Sequence, residues 1–168
     1  DISSVIGRRQ PTARDLRLLI AMSRMTSNLE RAGDEVARIC RMVKLLADRP
    51  ELNRVPRIEL CTAAEMASML LHKSLDAFAR LDEHMALTIL KEDDLIDREY
   101  EGFVRKLLTY VLEDTRAITG VIDMLFVAKA VERIGDHAKN LAESTIYVVK
   151  GQDVRHASLD RVESLVKP

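Results

Sequence analysis

Apolar side chains recur at alternating spacings of three and four along four stretches of this chain, and no stretch reads as a strand. That rhythm belongs to helices that bury one stripe. Thr12 opens the first stretch, with Asp15 three residues on in a capping-box arrangement. Its expected buried seam is Met22, Met25, Leu29, Ala32, Val36, Ile39, Val43 and Leu46. The prolines between Asp48 and Pro56 interrupt it. A second helix is predicted over Arg57–Arg80, then a turn at Leu81-Asp82, with Asp82 as the N-cap of a third helix, Glu83–Glu113. A fourth runs over Arg116–Lys150 and closes on Gly151, a suitable C′ residue. Fold class follows: all-α, with antiparallel helices of roughly 40–50 Å.

The first and fourth helices are related. Glu30-Arg31-Ala32-Gly33-Asp34 recurs as Glu132-Arg133-Ile134-Gly135-Asp136, and the flanking seams match from Met22/Met124 to Val43/Thr145. This is an internal duplication, so two related three-helix bundles are expected. Residues 1–49 are the remnant of the first, 50–151 form a complete second, and 152–168 form a final turn or loose tail. Upstream sequence is expected to supply the rest of the first bundle. Without it, the Met22–Leu46 seam needs a cover, from upstream helices or from a second copy of the chain.

The repeated motif is locally unfavourable. Residues i and i+4 share a helix face, and two carboxylates there cost roughly 0.2–0.5 kcal/mol. A mid-helix Gly costs about 1 kcal/mol against Ala. A third acidic pair, Asp93/Asp97, falls on seam positions of the third helix, where the pattern asks for apolar groups. Asp93, Asp97, Glu132 and Asp136 would then converge between neighbouring helices. Buried carboxylates need a counter-charge, and an all-oxygen donor set suits hard cations such as magnesium, manganese or ferric iron. Glu30 and Asp34 are the equivalent metal candidates of the first bundle, with no facing acidic pair. The alternative is an acidic face with a purely structural role. Arg31 and Arg133 are candidate partners of these carboxylates or surface ion pairs. His137, next to Asp136, is an outside candidate for a ligand and is expected rather to be exposed or capping.

Composition excludes several functions. A net charge of −1 and six aromatic residues without Trp give no case for a nucleic-acid surface. No apolar run approaches the ~20 residues needed to span a bilayer, and no leader pattern opens the chain. Cys40 and Cys61 read as reduced packing residues of a cytosolic protein. No phosphate loop or nucleophile triad is readable. The Glu-x-x-His signature of di-metal oxidases is absent, since Gly33 and Gly135 stand at the His positions. The chain therefore reads as a non-enzyme, with a carboxylate-bridged metalloenzyme as the remaining catalytic alternative.

Several segments in order resemble the PhoU family of phosphate-signalling proteins: Arg9-Gln10-Pro11, Asp15-Leu16-Arg17, Leu29-Glu30-Arg31 with Gly33-Asp34, Leu75-Asp76-Ala77-Phe78, Asp97 with Glu99-Tyr100-Glu101, the second Glu-Arg-Ile-Gly-Asp, and Val149-Lys150-Gly151. The resemblance implies two similar three-helix bundles and multinuclear metal sites on the acidic motifs. It also implies a cytoplasmic, often dimeric protein that represses phosphate uptake and the phosphate-starvation response. Its partners would be a phosphate ABC transporter and a sensor histidine kinase. A helical adaptor without metal is the non-catalytic alternative.

Overall fold

In the computed structural model, residues 2–47, 49, 52, 55 and 57–167 are described. They form six α-helices: α1 Ile2–Arg9, α2 Ala13–Ala47, α3 Ile58–Arg80, α4 Glu83–Glu113, α5 Ile118–Lys150 and α6 Leu159–Val166, with a 3-10 turn at Thr115–Ala117. No strand occurs among the described residues. The predicted interruption around Asp48, Pro50 and Pro56 falls on residues outside that description. Leu52 and Val55 within it are buried.

The connections are set by local chemistry. The α3–α4 turn is a Schellman closure: Asp82 N–H reaches Ala77 O at 2.8 Å and Leu81 N–H reaches Phe78 O at 3.1 Å, with Leu81 left-handed at φ 52°. Asp82 Oδ1 then accepts from Met85 N–H at 2.9 Å and caps α4. Gly151, at φ 74°, ends α5. Short turns of this kind put α3, α4 and α5 in up-down order.

α5 is the central helix, packed against α2, α3 and α4. Its buried positions therefore run almost around its circumference. One core cluster lies at the α3–α4 turn, around Ile89, Ile96, Ala138 and Ile146. The other lies at the far end, around Phe103, Leu107, Met124 and Leu52. Residues 152–168 are less loose than expected. Val162 and Val166 of α6 are buried and join the first core cluster, with α6 resting mainly on α4.

The expected seam of α2 is half right. Met25, Ala32, Ile39 and Leu46 face α5 or the core, but Met22, Leu29, Val36 and Val43 are 44, 38, 49 and 49% exposed. The covered stripe is Ala21, Met25, Asn28, Ala32, Glu35, Ile39, Met42 and Leu46, with the same three–four rhythm shifted by one residue at every other position. Two of its members are polar, so an apolar pattern passed over it. Cys40 and Cys61 are free and exposed, so the packing role expected for them does not hold.

Candidate functional site

α4 carries Asp93 and Asp97, and α5 carries Glu132 and Asp136. Gly135 lets the two helices approach at this level. A Cβ there would meet Ile96 Cδ1 at 3.0 Å and Asp93 Oδ1 at 3.6 Å. The equivalent Gly33 has nothing within 4 Å. Close helix contact therefore explains one motif glycine and leaves the other unexplained by packing.

Asp93 is 3% exposed. Its Oδ2 accepts from Lys139 Nζ at 2.7 Å. Burial works against the Lys139 ammonium, but the hydrogen bond and the charge of Asp93 leave its pKa raised. Lys129 Nζ donates to Glu132 Oε1 at 2.6 Å and lies over the Tyr100 ring at 5.2 Å. It is also close to Glu132 Oε2 (2.6 Å), but not in hydrogen-bonding geometry, and that buried oxygen accepts no hydrogen bond.

The other two carboxylates are more open. Asp97 and Asp136 are exposed by area, yet both have raised pKa values. For Asp97 the causes are lost hydration, then the charges of Asp93 and Glu132. For Asp136 they are lost hydration, then Glu132, Asp93 and Asp97. Each pair thus lies in the field of the other. Among the described residues, no three His, Cys, Asp or Glu side chains stand close enough to share one metal ion. Lys129 and Lys139 supply the positive charge instead. The all-oxygen donors suit a hard cation in chemistry, but as placed here they stand too far apart for three of them to share one ion.

The first motif copy is built differently. Glu30 and Asp34 are exposed. The adjacent Glu35 is the buried carboxylate, 8% exposed, held by Arg38 Nη1 at 3.4 Å and Arg133 Nη1 at 3.3 Å. Arg133 of the second motif therefore serves the α2–α5 contact, not the candidate ligands beside it.

His137 is 7% exposed, which overturns the exposed or capping role expected for it. Its Nδ1 lies 3.0 Å from Asn28 Oδ1, which also accepts from Asn140 Nδ2 at 3.1 Å. Burial, then Arg31 and Arg133, lowers the His137 pKa. Sequence reasoning missed Asn28, Glu35, Asn140 and this role of His137. The available signal was the same one that found Asp93: polar residues at seam positions, here 28 and 35 in the shifted register.

Comparison with known proteins decides the family. The PhoU domain matches residues 1–43 and 60–145. The chain belongs to the PhoU family. It is 41% identical over 163 residues to the phosphate-specific transport system accessory protein PhoU homolog of Pseudomonas aeruginosa, covering 97% of this chain and 67% of that protein. It is 43% identical over 162 residues to the Escherichia coli phosphate-specific transport system accessory protein PhoU, covering 96% and 66%. The chain thus spans about two thirds of the length of these relatives. The crystal structure of PhoU from Pseudomonas aeruginosa superposes with a TM-score of 0.85 at 40% identity, over 90% of this chain and 72% of that one. The phosphate transport system regulatory protein PhoU of Streptococcus pneumoniae gives 0.81 at 25% identity, over 91% and 70%. The helical-bundle fold expected from periodicity is the fold of this PhoU family.

Proposed function

We propose that this chain is part of an accessory regulator of phosphate-specific transport, a non-enzyme that acts by protein–protein contact. The named relatives carry the transport role. The structural support is an all-helical framework with a long exposed apolar stripe on α2. Among the described residues no helix is long and apolar enough to cross a membrane; a cytoplasmic location belongs to the same reading by family resemblance. Its partners in this reading are a phosphate ABC transporter, a sensor histidine kinase and a second copy of the chain.

Metal belongs to the same reading. Asp93, Asp97, Glu132 and Asp136 would hold iron, manganese or magnesium, which would supply positive charge between the two acidic pairs; the side chains must draw together to do so, since no three of them share an ion's reach as placed here. Lys129 and Lys139 balance that charge without it. The observation that carries the assignment is the placement of Asp93 and Asp97 on α4 beside Glu132 and Asp136 on α5, with each pair in the field of the other. Glu30 and Asp34 lack a facing pair among the described residues, and any metal role for them needs carboxylates from outside these elements.

The test is co-purification of a phosphate ABC transporter and of its sensor kinase with this chain, in phosphate-rich and phosphate-poor medium. Phosphate-dependent recovery of either is the expected result. Recovery of neither in either medium contradicts the reading.

A further inference from the structure

A second polar site lies along the α2–α5 contact, next to the carboxylate cluster. Arginines recur every seven residues along α2, at Arg17, Arg24, Arg31 and Arg38. A spacing of seven keeps them on one face of the helix. Arg17 lies against Gly151 at the end of α5, and Arg38 is taken up by Glu35. The middle two open into a cavity of about 310 Å³ between α2 and α5, where Arg155 joins them.

The lining of this cavity has one chemical character. Besides the three guanidinium groups it consists of Ser23, Ser27, Ser144, Asn28 and Asn140, with no carboxylate and no apolar residue. Among the described residues, no ion pair includes Arg31. Asp153 lies outside the lining and is shared. It binds Arg155 through Nε at 2.9 Å and Nη2 at 2.5 Å, and stands 3.9 Å from Arg24. Asp153 therefore faces two of the three cations, Arg24 and Arg155; Glu143 also acts on Arg155. Arg24 and Arg155 are held in place, by Tyr147 at 5.5 Å from the Arg24 guanidinium and by Asp153 respectively. Asn28 and Asn140 are fixed by their mutual hydrogen bond.

We infer that this cavity binds a tetrahedral oxyanion of the phosphate class, as the free ion or as a phosphomonoester. Forked guanidinium donors match phosphate oxygens bidentately, and hydroxyl and amide groups supply further donors. A dianion would offset the mutual repulsion of the three arginines. The site shares no residue with the carboxylate cluster and needs no metal, so it stands apart from the metal assignment above.

Titration calorimetry on the intact chain in EDTA, at low and constant ionic strength, tests it. Inorganic phosphate is expected to bind, sulfate to compete, and chloride to have no effect. Arg31→Gln is expected to raise Kd about tenfold or more, the loss typical of one charge-assisted contact. Arg80→Gln, at the end of α3, removes the same charge elsewhere and is expected to leave Kd unchanged. Phosphoserine binding more tightly than inorganic phosphate would assign the site to a phosphorylated partner, and the reverse order to the free ion. No phosphate heat in EDTA, equal Kd for wild type and Arg31→Gln, or an equal response to chloride would each overturn the inference. Ser27→Asp, which places a carboxylate in the cavity on an exposed helix face, provides an independent variant and is expected to abolish binding.

Discussion

Lys139 Nζ lies 2.7 Å from Asp93 Oδ2, so a half-exposed ammonium balances the most deeply buried carboxylate of the α4–α5 contact. Removing one partner of a buried pair leaves the other uncompensated, which costs about 3–5 kcal/mol when both are enclosed. Lys139 is partly solvated, so Lys139→Met is expected to cost roughly 1–3 kcal/mol. Urea unfolding measures it. If the cluster accepts a hard cation, added manganese should recover part of the loss. A variant as stable as the wild type would show that the pair contributes nothing.

The two motif glycines separate by substitution. Gly135→Ala places a methyl 3.0 Å from Ile96 Cδ1 and is expected to destabilise by about 1–3 kcal/mol. Gly33→Ala meets nothing within 4 Å and should stabilise by up to about 1 kcal/mol through helix propensity. Thermal melts of the two variants should move in opposite directions. Equal shifts would remove the packing explanation of Gly135.

The raised pKa values of Asp97 and Asp136 set a pH dependence of definite sign. Between their unfolded values, near 3.9, and their raised folded values, the folded state holds more protons. Their contribution to stability therefore grows as pH falls through that window and is lost as pH rises. Asp97→Asn and Asp136→Asn should raise Tm at pH 7, and the advantage should vanish below about pH 4. Asp153 acts oppositely. Its hydrogen bond from Arg155 holds it down at about 2, so its contribution is full above the unfolded value and lost as pH falls towards 2. A Tm advantage that persists into acid would contradict the assignment for the two cluster residues.

Met22, Leu29, Val36 and Val43 form an exposed apolar stripe with heptad spacing on α2. Such stripes seek cover. Light scattering of this chain is expected to show concentration-dependent association, abolished by Leu29→Lys with Val36→Glu. A wild-type monomer at all concentrations would show that the stripe does not self-pair.

The helices and most of their ends were legible because they follow from short-range chemistry: Asp82 as a cap, Gly151 as a stop, and a three–four rhythm in the core of α3, α4 and α5. The seam of α2 was legible only in part. Its apolar residues fall on two adjacent stripes that share Met25, Ala32, Ile39 and Leu46, and hydrophobicity favoured the stripe that is exposed here. The stripe that packs on α5 includes Asn28 and Glu35, which are satisfied by His137, Asn140 and Arg133 of α5, about a hundred residues away, with Arg38 of the same helix also on Glu35. Tertiary hydrogen bonds of that kind leave no periodic signal. Asp93 and Asp97 stood out because their neighbours on the seam are apolar, but the lysines that balance Asp93 and Glu132 did not, since exposed lysines are common on any helix.

Manganese binding by titration calorimetry tests the central claim most directly, with three proteins compared: wild type, Asp93→Asn with Glu132→Gln, and Glu30→Gln with Asp34→Asn. The account predicts that the wild type and the Glu30/Asp34 variant bind alike, and that the Asp93/Glu132 variant binds at least tenfold more weakly. Equal binding by all three, or loss only in the Glu30/Asp34 variant, would contradict it.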